Sequence, residues 1–142
     1  MPLEIDPSTE FGARVATHLA EDRIVWLTTT DAGGGPQPKP VWFLLEDGGT
    51  VLIYSQPDGA KVRHIGRNPR VSLNFNSDPK GLDVVVITGM AEVVEEAPRA
   101  DATGAYVTKY APGIEMIGMT SASFSDAYPV AIRITLETLR GM

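Results

Sequence analysis

The stretch of this sequence that says most about its fold is Val51-Leu-Ile-Tyr-Ser-Gln-Pro-Asp-Gly-Ala-Lys-Val-Arg-His-Ile-Gly-Arg-Asn-Pro-Arg70. Its first five residues are mainly apolar, β-branched or aromatic, which is typical of a buried strand. Residues 59–67 follow as a short, basic helix that Asn68-Pro69 ends. A strand that leads into the start of a basic helix is a common arrangement for binding a phosphate group.

The basic helix carries a local excess of positive charge on an acidic protein. Residues 59–77 hold four of the twelve Lys and Arg residues and no acidic residue, so this window carries +4 against a net charge of −6. Such a local excess is typical of a site for an anion, although a solvated basic face would have the same composition. The helical repeat places Val62, Ile65 and Gly66 toward the sheet and Lys61, His64 and Arg67 on the opposite face.

Composition and length limit the classes of function. A chain of 142 residues with 43% hydrophobic and 21% charged residues fits one globular domain, residues 1–142. No apolar run is long enough to span a membrane, and the N-terminus lacks the features of a signal peptide. The absence of cysteine excludes disulfides and thiol chemistry, and His18 and His64 lie too far apart in sequence to suggest a metal site. We therefore expect a cytoplasmic protein with no metal and with no nucleic-acid or membrane partner.

Hydrophobic periodicity along the chain predicts six strands and three helices. Short connections between most strands indicate antiparallel pairing, so the expected fold is mainly β with flanking helices, a closed or split six-stranded antiparallel barrel. We expect Asp6-Pro7 to begin the first helix, Gly89 to mark a bulge, and Pro112-Gly113 to interrupt the third helix. The predicted strands are 23–30, 37–45, 50–55, 71–76, 83–94 and 129–137, and the predicted helices are 7–21, 59–67 and 97–110, with a further helical turn at 114–119.

The start of the predicted second strand is a second candidate site. Residues 37–41 read Gln37-Pro38-Lys39-Pro40-Val41, and the two prolines remove backbone donors while leaving carbonyl groups. A planar ring could lie against this backbone. An edge strand protected against aggregation has the same pattern, and the sequence does not separate these two interpretations.

The order of four segments resembles the split-barrel flavin and deazaflavin oxidoreductases, a superfamily that includes pyridoxamine-5′-phosphate oxidase. Residues 61–70 match the pattern Lys-x-x-[Asn/His]-[Ile/Leu]-x-Arg-[Asn/Asp]-Pro-Arg, and the similarity extends over nearly the whole chain. Within the superfamily the chain most resembles the small actinobacterial branch that uses coenzyme F420. The resemblance implies a six-stranded split β-barrel with the FMN-binding fold of that oxidase. The segments are Gly-Gly-Gly-Pro-Gln-Pro-Lys-Pro-Val-Trp-Phe (33–43), Val-Leu-Ile-Tyr-Ser (51–55), Ala-Lys-Val-Arg-His-Ile-Gly-Arg-Asn-Pro-Arg-Val-Ser-Leu (60–73) and Val-Ile-Thr-Gly-Met-Ala-Glu-Val (86–93).

The resemblance also implies roles for individual residues. Lys61, together with His64 and Arg67, would bind the cofactor phosphate or the acidic tail of F420. Residues 37–41 would line the flavin or deazaflavin ring. The remaining residues implied to contact the cofactor are Tyr54 and Ser55, at the ribityl chain and phosphate, and Asn74 or Asn76, in the cofactor groove.

The function that the resemblance implies is hydride transfer between reduced F420 and an unsaturated small-molecule acceptor. The alternatives are an FMN-dependent oxidase, or a protein that binds a flavin, deazaflavin or tetrapyrrole without turnover. No side chain is assigned as catalytic, although Tyr106 or Tyr110 could supply a proton. The resemblance also implies a homodimer with cofactor sites at its interface. Consecutive apolar residues at 42–44 fit that expectation, because one face of this segment needs a cover, from a partner chain or from a helix.

Overall fold

The structure, a computed structural model, describes residues 3–142 and contains one antiparallel sheet. It confirms the split-barrel expectation but has seven strands within the described residues, one more than predicted. The predicted strand 37–45 is two strands, because the chain leaves the sheet at Trp42-Phe43 and then pairs with a different neighbour. The strands are β1 (Val25–Thr30), β2 (Pro36–Val41), β3 (Leu44–Leu45), β4 (Thr50–Ser55), β5 (Arg70–Asn74), β6 (Val85–Val94) and β7 (Val130–Gly141).

The strand order explains why the sheet curls. The order is β2-β1-β5-β6-β7-β4-β3, so the two edge strands are consecutive in the chain. Only Trp42 and Phe43 separate them, and three Cα–Cα steps span at most about 11 Å. The edges must therefore meet at this end, which closes the sheet into a barrel that stays open where β2 and β4 run on beyond the link.

The barrel interior is filled by alternate residues of the strands. In β1, Val25, Leu27 and Thr29 are buried while the residues between them are partly exposed, as expected for one buried face. Helix α1 (Glu10–Glu21) covers the interior with Val15 and Leu19.

Helix α1 begins later than the Asp6-Pro7 signal predicted. The Asp6 carboxylate accepts hydrogen bonds from the Ser8 amide and hydroxyl, which holds residues 6–8 in a turn. Thr9 is the actual N-cap, since its side chain accepts from the Gly12 amide at 2.9 Å.

Three further helices follow: α2 (Ala60–Arg67), whose Ile65 joins the barrel core, and α3 (Gly104–Met116) and α4 (Ser121–Ala127), which pack on other residues of the sheet. The sequence placed the start of the third helix too early, because residues 100–102 form a separate 3₁₀ turn. The expected interruption at Pro112 is also wrong. Pro112 removes one helical hydrogen bond, but Tyr110 and Ile114 on either side of it are buried in a second apolar cluster that holds the helix together.

The bulge expected at Gly89 is confirmed by a register shift between Thr88 and Gly89 where β6 pairs with β7. A Cβ atom at position 89 would collide with the Thr135 carbonyl, so the close approach of the two strands requires glycine there. No helix among residues 3–142 has both the length and the apolar character needed to cross a bilayer.

Candidate functional site

A cavity of about 340 Å³ lies where the barrel is open. The end of β2 and the Trp42 link form one wall, the end of β4 and the start of α2 form another, and α3 and α4 close it. Its lining combines two lysines with a group of aromatic side chains, a composition that suits a planar anionic ligand. The lining residues are Ile24, Lys39, Pro40, Val41, Trp42, Tyr54, Gln56, Lys61, Tyr106, Ile117, Phe124 and Tyr128.

Lys39 and Lys61 make one end of the cavity positive. Neither amine forms an ion pair with any residue in the range 3–142. Burial, and then the charge of nearby Lys39, lower the pKa of Lys61. Both effects oppose the charged form of the amine, so an anion bound between the two lysines would be favoured.

The start of α2 is open beside these amines. Gly59 is the N-cap and has no side chain to cap the helix. A Cβ atom at this position would lie 2.9 Å from the Ser55 hydroxyl oxygen and 3.9 Å from the Lys61 amine. The hydroxyl of buried Ser55 donates to the Gln56 carbonyl at 3.1 Å. Glycine therefore leaves open the space beside the Ser55 hydroxyl and the Lys61 amine.

Stacked aromatic rings form the other end of the cavity. The Trp42 ring stacks with those of Tyr110 and Phe124, with centroids 4.7 Å and 5.4 Å away and interplanar angles of 7° and 19°. Phe124 stacks in turn on Tyr128 at 4.5 Å. Helices α3 and α4 thus cover Trp42, and Phe43 lies in the barrel core, so a helix supplies the cover that residues 42–44 needed.

The link that carries Trp42 is fixed by two neighbouring side chains of α3. The Tyr110 hydroxyl accepts from the Phe43 amide at 2.8 Å and faces the Phe43 and Arg23 carbonyls at 2.9 Å and 2.8 Å. The Lys109 amine donates to the Phe43 carbonyl at 2.9 Å and lies 3.7 Å from the Phe43 ring centre. Burial lowers the pKa of Lys109 to about 8. The Tyr110 hydroxyl is thus hydrogen-bonded to backbone groups, and Tyr110 does not line the cavity.

The structure brings together part of the residue set that the sequence predicted. Lys39, Pro40, Val41, Tyr54 and Lys61 line the cavity, and Ser55 lies beside it. Their role in binding a cofactor stays a prediction.

The other predicted residues lie elsewhere. Gln37 donates to Asp31 in the β1–β2 turn, Pro38 is outside the cavity lining, and Arg67 is exposed. Asn74 lines a separate groove on the sheet, and the Asn76 side chain accepts from the Trp26 indole.

His64 and Gly66 lie on different faces of α2 from those predicted. The His64 ring lies 2.8 Å from the hydroxyl of buried Thr29 in β1, so it packs on the sheet instead of facing a ligand with Lys61. Gly66, expected against the sheet, is exposed. The helix is rotated from the predicted orientation because a histidine with a hydroxyl partner can be partly buried.

Sequence reasoning missed the aromatic end of the cavity. Phe124 and Tyr128 belong to α4 and its C-terminal end, and the Ser-rich segment 121–127 carries no helical repeat that would have revealed it. The sequence around Trp42 indicates only an apolar face that needs a cover. The position of Trp42 directly after the Gln37–Val41 segment was the feature of the sequence that could have placed it at the site.

The fold and the cavity define a split-barrel protein that resembles pyridoxamine-5′-phosphate oxidase, and comparison with known proteins agrees. The family model described as pyridoxamine 5′-phosphate oxidase matches residues 11–142, so the chain belongs to that family. It is 28% identical over 137 residues to a pyridoxine/pyridoxamine 5′-phosphate oxidase of Citrobacter koseri, covering 87% of this chain and 62% of that protein. The corresponding oxidase of Streptomyces avermitilis is 30% identical over 126 residues, covering 85% of this chain and 54% of that protein. The chain thus spans little more than half the length of these curated relatives.

Solved structures share the fold at low identity. A conserved hypothetical protein of Mycobacterium tuberculosis has a TM-score of 0.71 at 21% identity, covering 93% of this chain and 82% of that one. A structure named F420 reductase has a TM-score of 0.64 at 18% identity, covering 87% and 94%. The heme storage protein HutZ of Vibrio cholerae has a TM-score of 0.62 at 18% identity, covering 98% and 95%. The fold is therefore shared by proteins whose names describe different ligands.

Proposed function

We propose that this protein is an F420-dependent oxidoreductase that transfers a hydride between reduced F420 and an unsaturated small-molecule acceptor. The observation that carries the proposal is the cavity, with stacked aromatic rings at one end and, at the other, two lysines that pair with no acidic residue of the described part of the chain. These residues fit a planar cofactor with an anionic side chain. Bound reduced F420 supplies the hydride, and the protein binds and orients the reactants and excludes water.

Each part of the cavity has a role in this proposal. Lys39 and Lys61 hold the first anionic group of the side chain, next to the open start of α2. Trp42 and Phe124 provide an apolar surface for the planar ring, and the helices that carry the aromatic rings shield it from solvent. No side chain of the cavity is needed as a nucleophile, because the cofactor carries the reactive bond.

The basic residues outside the cavity favour F420 over FMN. Arg63, Arg67 and Arg70 are exposed, and none of them forms an ion pair with another described residue. Arg67 lies six residues after Lys61 in the same helix, which places it about 9 Å further along the axis. A long acidic tail could reach from the cavity to Arg67, whereas Lys61 would suffice to hold the single phosphate of FMN.

An FMN-dependent oxidase is the second candidate, and it is favoured by the family and by the curated relatives, which are oxidases. A tetrapyrrole carrier fits this cavity less well. Haem iron in proteins is usually held by a His, Cys, Met or Tyr ligand. The chain has no cysteine and neither histidine lines the cavity, so only Tyr54, Tyr106 or Tyr128 could hold a haem iron there.

We also propose that the protein acts as a homodimer with the cofactor sites at its interface. Ile117 lines the cavity while being 52% exposed, and its neighbour Met116 is 87% exposed. An exposed apolar pair at the rim is a surface that a second copy can cover. Light scattering during size exclusion should give twice the chain mass, and Met116→Glu should shift the protein toward the monomer.

The experiment that tests the cofactor is a parallel titration of the protein with F420 and FMN, followed by the fluorescence of Trp26 and Trp42. We expect Lys61→Ala to weaken F420 binding by about 1.5–3 kcal/mol, the scale of a hydrogen bond to a charged group. Lys80→Ala is the matched control, because Lys80 is an exposed lysine that does not line the cavity.

Arg67→Ala separates the two cofactors. It should weaken F420 binding, in a salt-dependent way, and leave FMN binding unchanged. Tighter binding of FMN than of F420 would shift the assignment to the oxidase. Binding of neither cofactor, or wild-type affinity in Lys61→Ala, would refute the proposed site.

A further inference from the structure

Tyr106 places a phenol at the boundary of the cavity. It belongs to α3, is 1% exposed and lines the cavity. Its ring packs edge-on against Tyr54, with centroids 4.9 Å apart at 84°, and lies 4.8 Å from the ring of Tyr110. These contacts fix the ring, so the direction of its hydroxyl is set before any ligand arrives.

The hydroxyl of Tyr106 has no hydrogen-bond partner among residues 3–142, unlike those of its neighbours. Tyr54 donates to the Pro98 carbonyl at 2.8 Å and lies 2.9 Å from the Thr103 hydroxyl, and Tyr110 bonds to backbone groups. Every fully shielded side-chain nitrogen or oxygen of the described residues has a partner. The Tyr106 hydroxyl oxygen is therefore not completely buried. The open space that this oxygen reaches is the cavity that the Tyr106 side chain lines.

A polar group in this position has a cost that phenylalanine would avoid. A buried hydroxyl without a partner costs about 1–3 kcal/mol. Burial, and then the neighbouring tyrosines, raise the pKa of Tyr106 far above its usual range, so the group stays a neutral O–H donor. Such a donor pairs with a neutral acceptor such as a carbonyl oxygen, while the anionic part of a ligand is drawn to the lysines.

We propose that Tyr106 determines specificity in the cavity by donating a hydrogen bond to a carbonyl oxygen of a planar ligand whose anionic group lies between Lys39 and Lys61. The inference rests on the proposed function in taking the lysine end as the anion site. It adds the requirement that the bound ring system carries a carbonyl on the edge that faces α3. Tyr128 also lines the cavity, but it is only partly buried, so water can satisfy its hydroxyl.

Two planar sulfonates that differ only in their carbonyl groups test this requirement. Anthraquinone-2-sulfonate has two ring carbonyls and anthracene-2-sulfonate has none. We expect the wild-type protein, followed by tryptophan fluorescence, to bind the quinone about fivefold to tenfold more tightly, the scale of one hydrogen bond. Tyr106→Phe should remove this preference, leave the affinity for anthracene-2-sulfonate unchanged, and give a thermal unfolding midpoint no lower than that of the wild type.

Matched variants make the result specific. Tyr128→Phe should keep the preference, and Lys61→Ala should weaken both sulfonates equally. A preference that survives Tyr106→Phe, or its absence from the wild-type protein, overturns the role of Tyr106. Failure of both F420 and FMN to bind, with the quinone preference intact, refutes the proposed function and leaves this role standing. A wild-type protein that binds F420 but shows no preference for the quinone refutes the role of Tyr106 and leaves the proposed function standing.

Discussion

Two tyrosines one helical turn apart in α3 should respond in opposite ways to the loss of a hydroxyl. Tyr106 and Tyr110 are both 1% exposed and belong to the same apolar cluster. The Tyr110 hydroxyl is the partner of the Phe43 amide, in the link between β2 and β3 where no strand offers an acceptor. The Tyr106 hydroxyl bonds to no described residue.

Tyr110→Phe should lower the free energy of unfolding by about 2–4 kcal/mol. Leaving the buried Phe43 amide without a partner costs about 1–3 kcal/mol, and the lost donation to a backbone carbonyl adds about 1 kcal/mol. For a domain of this size the melting temperature should fall by roughly 5–15 °C. Tyr106→Phe removes the same atom without breaking a bond, and because an unpartnered buried hydroxyl is itself costly, this variant should be at least as stable as the wild type.

Urea unfolding followed by tryptophan fluorescence measures both variants, and an unchanged m-value shows that the unfolded states are comparable. Equal losses in the two variants would mean that the hydroxyl contributes through packing and not through its partners. A Tyr110→Phe protein as stable as the wild type would show that the Phe43 amide finds another acceptor, and the reasoning about the link would fail.

Two further predictions concern stability away from the cavity. Burial opposes the charged form of His18, but hydrogen bonds to Asp22 at 2.6 Å and Asp83 at 2.8 Å outweigh it and raise the pKa of His18 above its ordinary 6.5. Its contribution is therefore complete below about pH 6.5 and is lost as the pH rises through the raised pKa, so the stability difference between the wild type and His18→Gln, measured by urea unfolding, should shrink toward pH 9. The lowered pKa of Lys109 acts in the opposite direction on both proteins and cancels in this difference. Gly89→Ala should destabilise the protein by about 1–3 kcal/mol because its Cβ meets a carbonyl of β7, whereas Gly66→Ala, with open space around it in α2, should stabilise by about 0.5–1 kcal/mol. Equal effects of the two alanines on the unfolding midpoint would contradict that account.

Strand positions could be predicted from the sequence because one face of each strand is buried. The alternation of buried and partly exposed residues in β1, and the glycine at the β6–β7 bulge, leave a local signal. The division of residues 37–45 into two strands could not be predicted, because it depends on which neighbour each half pairs with. Those neighbours, β1 and β4, lie on opposite sides of the segment in the chain.

The cavity was predicted less completely than the fold for a similar reason. Lys61 and Lys39 belong to segments with strong local signals, the basic helix and the proline-rich strand. The hydrogen-bond partner of His64 is Thr29, 35 residues earlier, and no local sequence pattern indicates that contact. The aromatic end depends on α4, whose only local signal is the reciprocal capping of Thr120 and Ser123.

The position of β7 has a consequence for how the chain folds during synthesis. β7 is the last strand in sequence, yet it lies between β6 and β4 and pairs Val51 with Ile134 across more than half of the chain. Until residues 130–141 have left the ribosome, the β3–β4 hairpin has no strand to join, and the two parts of the sheet are connected only through chain links. Pairings this distant in sequence form slowly, so the nascent protein exposes the inner face of β4 until β7 has been synthesised and has paired.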